Sequence, residues 1–296
     1  MDQTTLDNIR KVPASAGAQW LLDGFALLKA SPGGFGVMGV LYGVFAAVVI
    51  GMAILVPQVG FAVQAVQIIA APILTGGMVW AAREVAQGRD VGPAAFGEPL
   101  RQGKVGALLI TLLPQIVLGL GMAMLLVVLV GADNMQVIAS VMEKVQNAGP
   151  GAQPDPALFA ALPVGRMLLW LLCVVVLAFM LLLMVFVAIP GVMLGGNSGI
   201  EALQRSWRAG LRNLPAVLVF AVVLFITMVG LTILSGIIGA IVRLVAGEIG
   251  QMVVSQLVMM TVLMPVMSGA ISSAWRSMLG EAADQPPALP TGQLQA

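Results

Sequence analysis

The chain has 296 residues, of which 59% are hydrophobic and only 9% are charged, whereas a soluble domain carries about 25% charged residues. Its mean hydropathy is +1.02, and a water-soluble protein of this size has no interior large enough to bury so much apolar surface. The composition therefore predicts an all-α polytopic membrane protein. The formal net charge of +1 gives no long-range attraction to nucleic acid, so no nucleic-acid partner is expected.

Two residue types that carry much of protein chemistry are nearly missing. The sequence contains no histidine and a single cysteine, Cys173. This excludes Ser-His-Asp and Cys-His nucleophilic sites, His-ligated metals, intrachain disulfides and cysteine cages. Cys173 lies in an apolar run and is expected to act as a small hydrophobe. We expect a protein that is not an enzyme and that binds no cofactor or metal.

The N-terminal segment, residues 1–33, precedes the first apolar run. It contains the stretch from Trp20 to Pro32, which is amphipathic, carries aromatic residues and ends at a proline. This pattern is typical of a short helix lying on the membrane surface. We expect a cytoplasmic segment with an interfacial helix. The long polar start also argues against a cleavable signal peptide.

Stretches without charge mark the membrane spans. The first, residues 30–82, has 53 residues and is interrupted near Pro57, so it holds two spans of about 20 apolar residues each. Four further charge-free stretches hold one span each. The sequence predicts six spans, at about 34–56, 59–82, 106–131, 167–194, 214–240 and 250–275.

The distribution of Lys and Arg predicts the orientation of these spans. Eleven Lys and Arg residues lie either before span one or after spans two, four and six. Only three lie on the other side, namely Lys144, Arg166 and Arg243. Because cytoplasmic loops carry the excess of positive residues, both termini should be cytoplasmic. With no targeting segment, a bacterial inner membrane is the most economical location.

Two stretches 193 residues apart suggest an internal repeat. Pro72–Arg83 and Pro265–Arg276 share the order Pro, two apolar residues, Thr or Ser, Gly, a small residue, then Ala and Arg. We predict three helical hairpins as parallel repeats, each preceded by a short interfacial helix. The alternative is a chance coincidence of proline and glycine in low-complexity membrane sequence.

The predicted domains follow from these spans. Residues 34–280 form a six-helix membrane domain, whose outward loop at about 132–165 begins with an amphipathic helix. The proline-rich residues 281–296 are expected to form a disordered cytoplasmic tail.

The predicted spans contain no midplane Asp, Glu, Lys or Arg, a group that proton-coupled carriers usually need. Their polar residues are amides and hydroxyls, among which Gln64, Gln67 and Gln115 are the candidates for solute contact. The alternative for these side chains is ordinary interhelical hydrogen bonding.

Four prolines are predicted to kink the spans because each removes a backbone hydrogen bond. They are Pro72, Pro114, Pro190 and Pro265. Such kinks either shape a packed bundle or serve as hinges and cavity walls.

Arg205, Arg208 and Arg212 are spaced i, i+3 and i+7, so they share one helix face. With Trp207 beside them, they suit a helix at an anionic headgroup layer. The alternative is that they only fix the orientation of the neighbouring spans.

The opening pattern Trp20-xxxx-Phe25-xxx-Lys29-xx-Pro32, together with Gly199–Asn213, resembles an uncharacterised family of bacterial six-helix inner-membrane proteins. This family is loosely similar to the membrane domain attached to some glycerophosphodiester phosphodiesterases. The resemblance covers nearly the whole chain and implies a six-helix fold with no settled function. The chain has no phosphodiesterase catalytic domain, so no activity and no functional residue is implied.

These observations favour a non-enzymatic integral inner-membrane protein that organises lipid or partner proteins in the envelope. Its expected partners are membrane lipids, and a membrane-protein partner or further copies of itself. The alternative is a permease or channel for a small neutral or amphiphilic solute or lipid, suggested by the prolines, the repeat and the polar residues of the spans.

Overall fold

The computed structural model describes residues 9–147, 160 and 162–280, and all regular structure in them is helical. The helices, in chain order, are α1 (Ala16–Ala30), α2 (Val37–Leu55), α3 (Gly60–Ala86), α4 (Glu98–Arg101), α5 (Val105–Ile110), α6 (Leu113–Val130), α7 (Ala132–Asn147), α8 (Val164–Val185), α9 (Ala188–Met193), α10 (Gly199–Arg212) and α11 (Leu214–Met278). A π-helical turn at Pro32–Gly36 leads into α2, and 3-10 turns occupy Pro57–Val59 and Pro93–Gly97. The predicted all-α class is confirmed. The predicted disordered tail, 281–296, lies outside the described residues.

Five helical segments in the described chain are long and apolar enough to cross a membrane. They are Pro32–Leu55, Gly60–Ala86, Val105–Val130, Val164–Met193 and Leu214–Met278. The protein is therefore a multi-pass membrane protein. The count differs from the predicted six because α11 runs through both of the last two predicted spans as one continuous helical assignment of 65 residues.

The chain nevertheless reverses within α11. Gly247 has φ 68° and ψ −165°, a positive-φ conformation that essentially only glycine adopts because it has no Cβ. Ser255 Oγ donates a hydrogen bond to the carbonyl of Ser235 over 3.1 Å, whereas 20 residues of straight helix span about 30 Å. The segment thus folds back at Gly247 into an outgoing arm, residues 214–246, and a return arm, residues 248–278.

The described chain divides into two compact units, the first from residues 1–112 and 183–296 and the second from 113–182. The second unit contains α6, α7 and most of α8. Within it, Trp170 Nε1 of α8 donates to the carbonyl of Met122 in α6 over 3.2 Å. Asn134 Nδ2 donates to the carbonyl of Val130 over 2.7 Å, which fixes the turn from α6 into α7. The predicted outward loop therefore begins as a helix.

The first unit is densely packed at one end, which we call the base (residues 9–49, 72–112, 183–220 and 265–280). Its largest fully buried side chains include Trp20, Phe35, Met38, Met78 and Phe220. Away from the base, the same helices expose large apolar side chains such as Phe61, which is 90% exposed. Such a surface suits a hydrocarbon environment rather than water.

Three contacts between helices build the base. The segment Pro93–Gly97 lies against α3, where a Cβ on Gly77 would come within 2.6 Å of the Ala95 carbonyl oxygen. Ser206 Oγ of α10 donates to the carbonyl of Leu183 over 2.9 Å, at the end of α8. Helix α1 lies against the return arm, where Gly24 meets the backbone of Val266. In each case a short helical segment that precedes a long helix docks on the last turns of another long helix.

The residues of the predicted repeat lie at these contacts. Pro72, Gly76 and Ala81 are buried in α3, and Pro265 and Gly269 are buried in the return arm. Close approach of backbones requires small residues, so the shared Pro-x-x-Thr/Ser-Gly pattern corresponds to two similar docking surfaces.

Candidate functional site

Helix α1 is wedged into the base. Trp20 is only 2% exposed, and its ring lies 5.7 Å from that of Phe186 and 6.2 Å from that of Phe220, centroid to centroid. Its indole Nε1 donates to Ser277 Oγ over 3.0 Å, so the polar edge of the buried ring is satisfied. The helix predicted to lie on the membrane surface is thus an integral part of the core.

Asn213 ties the start of the described chain to the junction of α10 and α11. Its side chain is 1% exposed, and Oδ1 accepts a hydrogen bond from the backbone N–H of Val12 over 2.8 Å. Its Nδ2 donates to the carbonyls of Arg10 and Ala209, both over 3.0 Å. Because every polar atom of this buried amide has a partner, the amide contributes to stability rather than costing it.

One buried hydroxyl lies beside a carboxylate. Ser273 Oγ donates to Asp23, which also accepts from Gln19 Nε2 over 2.8 Å. The hydrogen bond between Ser273 and Asp23 joins α1 to the return arm.

The base carries the cationic surface of the first unit. In the described chain it holds eleven Lys or Arg residues and five Asp or Glu residues. Helix α10 buries a face of small residues and exposes Arg208, Arg212 and Leu211, the last by 48%. Arg205 is less accessible, with 23% of its side chain exposed and its Nη1 4.0 Å from Glu201. Two of the three predicted arginines, Arg208 and Arg212, are therefore exposed in the structure.

Lys104 is another cation of the base, and it is partly withdrawn from solvent. Its Nζ donates to the carbonyl of Met193 over 2.8 Å. Burial, and then the nearby positive charge of Arg83, lower the pKa of Lys104 from its ordinary value. The residue links the loop before α5 to the end of α9.

The predicted glutamines lie on two helices, α3 and α6, which belong to different units. Gln64 is exposed and Gln67 is half-buried on α3, and both belong to the first unit. Gln115 is exposed on α6 and belongs to the second unit. An exposed side chain on the surface of an apolar helix does not by itself fix the position of a bound solute.

The four prolines take two kinds of position. Pro72 and Pro265 lie inside helices. Pro114 lies in the first turn of α6, directly after the break at residues 111–112, and Pro190 lies in the short helix α9, after the break at 186–187. The last two therefore mark points where a predicted span is divided into two helical pieces.

A cavity of about 350 Å³ lies between the two arms of α11. Its lining consists of Ser235, Glu248, Gln251, Met252, Ser255, Gln256 and Met259. The predicted spans contain Ser235, Gln251, Ser255 and Gln256, but sequence reasoning named none of these residues, nor Glu248, as a candidate contact. The spacing of Glu248, Gln251 and Ser255, i, i+3 and i+7, puts them on one helix face and was the available signal.

The described residues include no group of three or more Cys, Asp or Glu side chains that could hold a metal ion. Comparisons of the chain with protein-family models, with curated proteins and with solved structures found no match.

Proposed function

We propose that this chain is a non-enzymatic multi-pass protein of a bacterial inner membrane that organises lipid or partner proteins in the envelope. In this proposal the base and both termini are cytoplasmic. The observation that carries it is the surface of α10, which exposes Arg208 and Arg212 beside the apolar Leu211. Cations adjacent to apolar side chains match the boundary between anionic headgroups and acyl chains.

We also propose that the chain spans the membrane six times, as three hairpins. The reversal at Gly247 supports two arms in α11. The three docking contacts of the base support three equivalent pairs of long helices, because each pair receives one short helical segment. The resemblance to six-helix inner-membrane proteins also implies six spans.

The alternative of a permease or channel needs a polar route past the base. In the first unit, the described core at this end is filled by Phe35, Met38, Tyr42 and Met78, which lie between α2 and α3. A filled apolar core resists opening because interiors are close-packed. Organisation of lipid or protein needs no such route, and for this reason we favour it.

Retained lipid tests the proposed function. The protein is reconstituted in vesicles of equal phosphatidylglycerol and phosphatidylcholine, extracted gently and weighed with its bound lipids by native mass spectrometry. We expect phosphatidylglycerol to be enriched over the bulk membrane. An Arg near an anionic surface contributes about 1 kcal/mol, so the double variant Arg208→Gln/Arg212→Gln should lower the enrichment at least about tenfold.

The matched control is Lys144→Gln, which removes an exposed cation of the second unit and should leave the enrichment unchanged. Bound lipid with the composition of the bulk membrane in the unmodified protein would overturn the lipid-organising role. A mass corresponding to a tightly held small solute would instead favour the permease.

A further inference from the structure

We propose that the cavity between the arms of α11 binds one zwitterionic phospholipid whose headgroup carries a free amine, of the phosphatidylethanolamine class. This inference deepens the proposed function by naming a lipid class and a second, separate site for it. It rests on the membrane location of the protein but not on the cationic surface of α10.

The cavity has polar groups that need a partner. Within the described chain, no side-chain hydrogen bond engages the amide of Gln251 or of Gln256, although both side chains are half-buried. Both amides are accessible to a ligand, and an unpaired amide costs free energy where hydrocarbon rather than water surrounds it. Their oxygens can accept hydrogen bonds from an ammonium, and their NH₂ groups can donate to ester or phosphate oxygens.

The charges at the rim of the cavity match a zwitterion. Glu248 lines the cavity, and its Oε1 lies 2.8 Å from Arg243 Nη2. The two side chains are 81% and 56% exposed, and such an exposed pair contributes little to stability by itself. A guanidinium binds phosphate well and a carboxylate binds an ammonium. A phosphoethanolamine group supplies both charges, whereas a phosphoglycerol group leaves Glu248 facing a second negative charge.

The remaining lining suits an acyl chain. Met252 and Met259 lie on the cavity wall seven residues apart along the return arm, and unbranched methionine adapts its shape to a flexible partner. The arms are held together beside the cavity, because a Cβ on Gly239 would collide with Ser255 Oγ. The two arms therefore already meet beside the cavity without a ligand, and a site formed in advance lowers the entropic cost of binding.

The preference of the unmodified protein among headgroups is the first test. The protein is reconstituted in vesicles in which phosphatidylcholine is replaced stepwise by phosphatidylethanolamine at constant phosphatidylglycerol, and the retained lipids are weighed by native mass spectrometry. We expect one retained phosphatidylethanolamine, preferred about tenfold over phosphatidylcholine, because methylation of the amine removes every hydrogen-bond donor. Equal retention of the two lipids would overturn the proposal.

A variant then locates the site. Gln251→Leu/Gln256→Leu keeps the size of the side chains and should lower the retained phosphatidylethanolamine about tenfold. Gln64→Leu removes an exposed amide outside the cavity and is the matched control. Loss of the lipid in both variants, or in neither, would contradict the assignment to this cavity. Thermal unfolding of each variant verifies that the protein is folded.

The two lipid proposals fail separately. If phosphatidylglycerol is enriched through Arg208 and Arg212 but the amine has no effect, the cavity proposal fails and the proposed function stands. If the preference for the free amine is found without enrichment of phosphatidylglycerol, the proposed lipid-organising role of the α10 surface fails and the cavity proposal holds.

Discussion

The two ends of the first unit are built in different ways. At the base, backbones meet at glycines and buried polar side chains such as Asn213 have complete sets of hydrogen-bond partners. Near Gly247, the arms of α11 expose large apolar side chains, among them Leu244 by 86% and Val245 by 92%. The base is therefore densely packed within the protein, whereas the end near Gly247 presents large apolar side chains to its surroundings.

This difference has a physical cause in the positions of small residues. Helices in a membrane gain little from apolar burial alone, since lipid chains are as apolar as leucine, and they associate where small residues let backbones approach. The base has such residues at Gly17, Gly24 and Gly269 on the contact between α1 and α11. On the outgoing arm, Gly230 and Gly236 have no neighbouring atom within 4 Å of an added Cβ, and only Gly239 among the three meets the return arm, at Ser255.

The largest effect is expected from a substitution at one of the closest backbone contacts of the base. A Cβ on Gly24 would collide with the carbonyl oxygen of Val266, and backbone cannot move aside as a side chain can. Gly24→Leu should therefore destabilise the protein by about 3 kcal/mol or more. Thermal unfolding in detergent, followed by the fluorescence of the five tryptophans, measures this loss.

The control for that variant is Gly51→Ala, at a site in α2 with no atom within 4 Å of the added Cβ. It should leave the stability unchanged or raise it by up to about 1 kcal/mol, since alanine favours helix. Equal destabilisation by Gly24→Leu and Gly51→Ala would show that the close contact has no role.

A smaller effect is expected where a buried amide is removed. Asn213→Ala leaves the N–H of Val12 and the carbonyl of Arg10 without their partner, which should cost about 2 kcal/mol. Hydrogen exchange should then rise in residues 9–15 before it rises elsewhere in the base. Gln204→Ala on the exposed face of α10 is the comparison, and a similar rise there would argue against the role of Asn213.

The reversal at Gly247 should be less sensitive than the base. Gly247→Ala places a Cβ on a residue with φ 68° and ψ −165°, a region that residues other than glycine scarcely adopt and that costs about 1–3 kcal/mol, but nothing lies within 4 Å of that Cβ. The midpoint of thermal unfolding should fall, but by less than in Gly24→Leu. Gly236→Ala, in an open helical position, should not lower it. A loss as large as that of Gly24→Leu would contradict the contrast between the two ends.

The smallest effect concerns the pH dependence of Lys104. The pKa of Lys104 is lowered in the folded protein, which means that folding disfavours the charged form of its side chain. At low and neutral pH, where Lys104 is charged, this lowers the free energy of unfolding. The free energy of unfolding should rise as the pH increases from the folded pKa toward the ordinary value and then level off. Lys104→Gln should lack this rise, whereas Lys29→Gln, at an exposed lysine, should retain it.

The sequence predicted the helical class and the small-residue contacts well. Charge-free stretches and the pattern shared by Pro72–Arg83 and Pro265–Arg276 are local properties, and the structure places Gly76 against Leu108 and Gly269 against Gly24. The burial of α1 was not predicted, because an amphipathic helix has the same pattern whether its apolar face meets lipid or protein. The cavity was missed for a similar reason: it depends on which faces of the two arms meet after the reversal.

The opposite placement of the two ends is the central claim, and labelling of single cysteines tests it most directly. In a Cys173→Ala background, Gln204→Cys on the base and Val245→Cys beside the reversal are each exposed. A membrane-impermeant maleimide applied to intact bacterial cells should label Val245→Cys, and should label Gln204→Cys only after the inner membrane is permeabilised. Labelling of both cysteines from the same side, or of Gln204→Cys alone in intact cells, would contradict a cytoplasmic base with arms that cross the membrane.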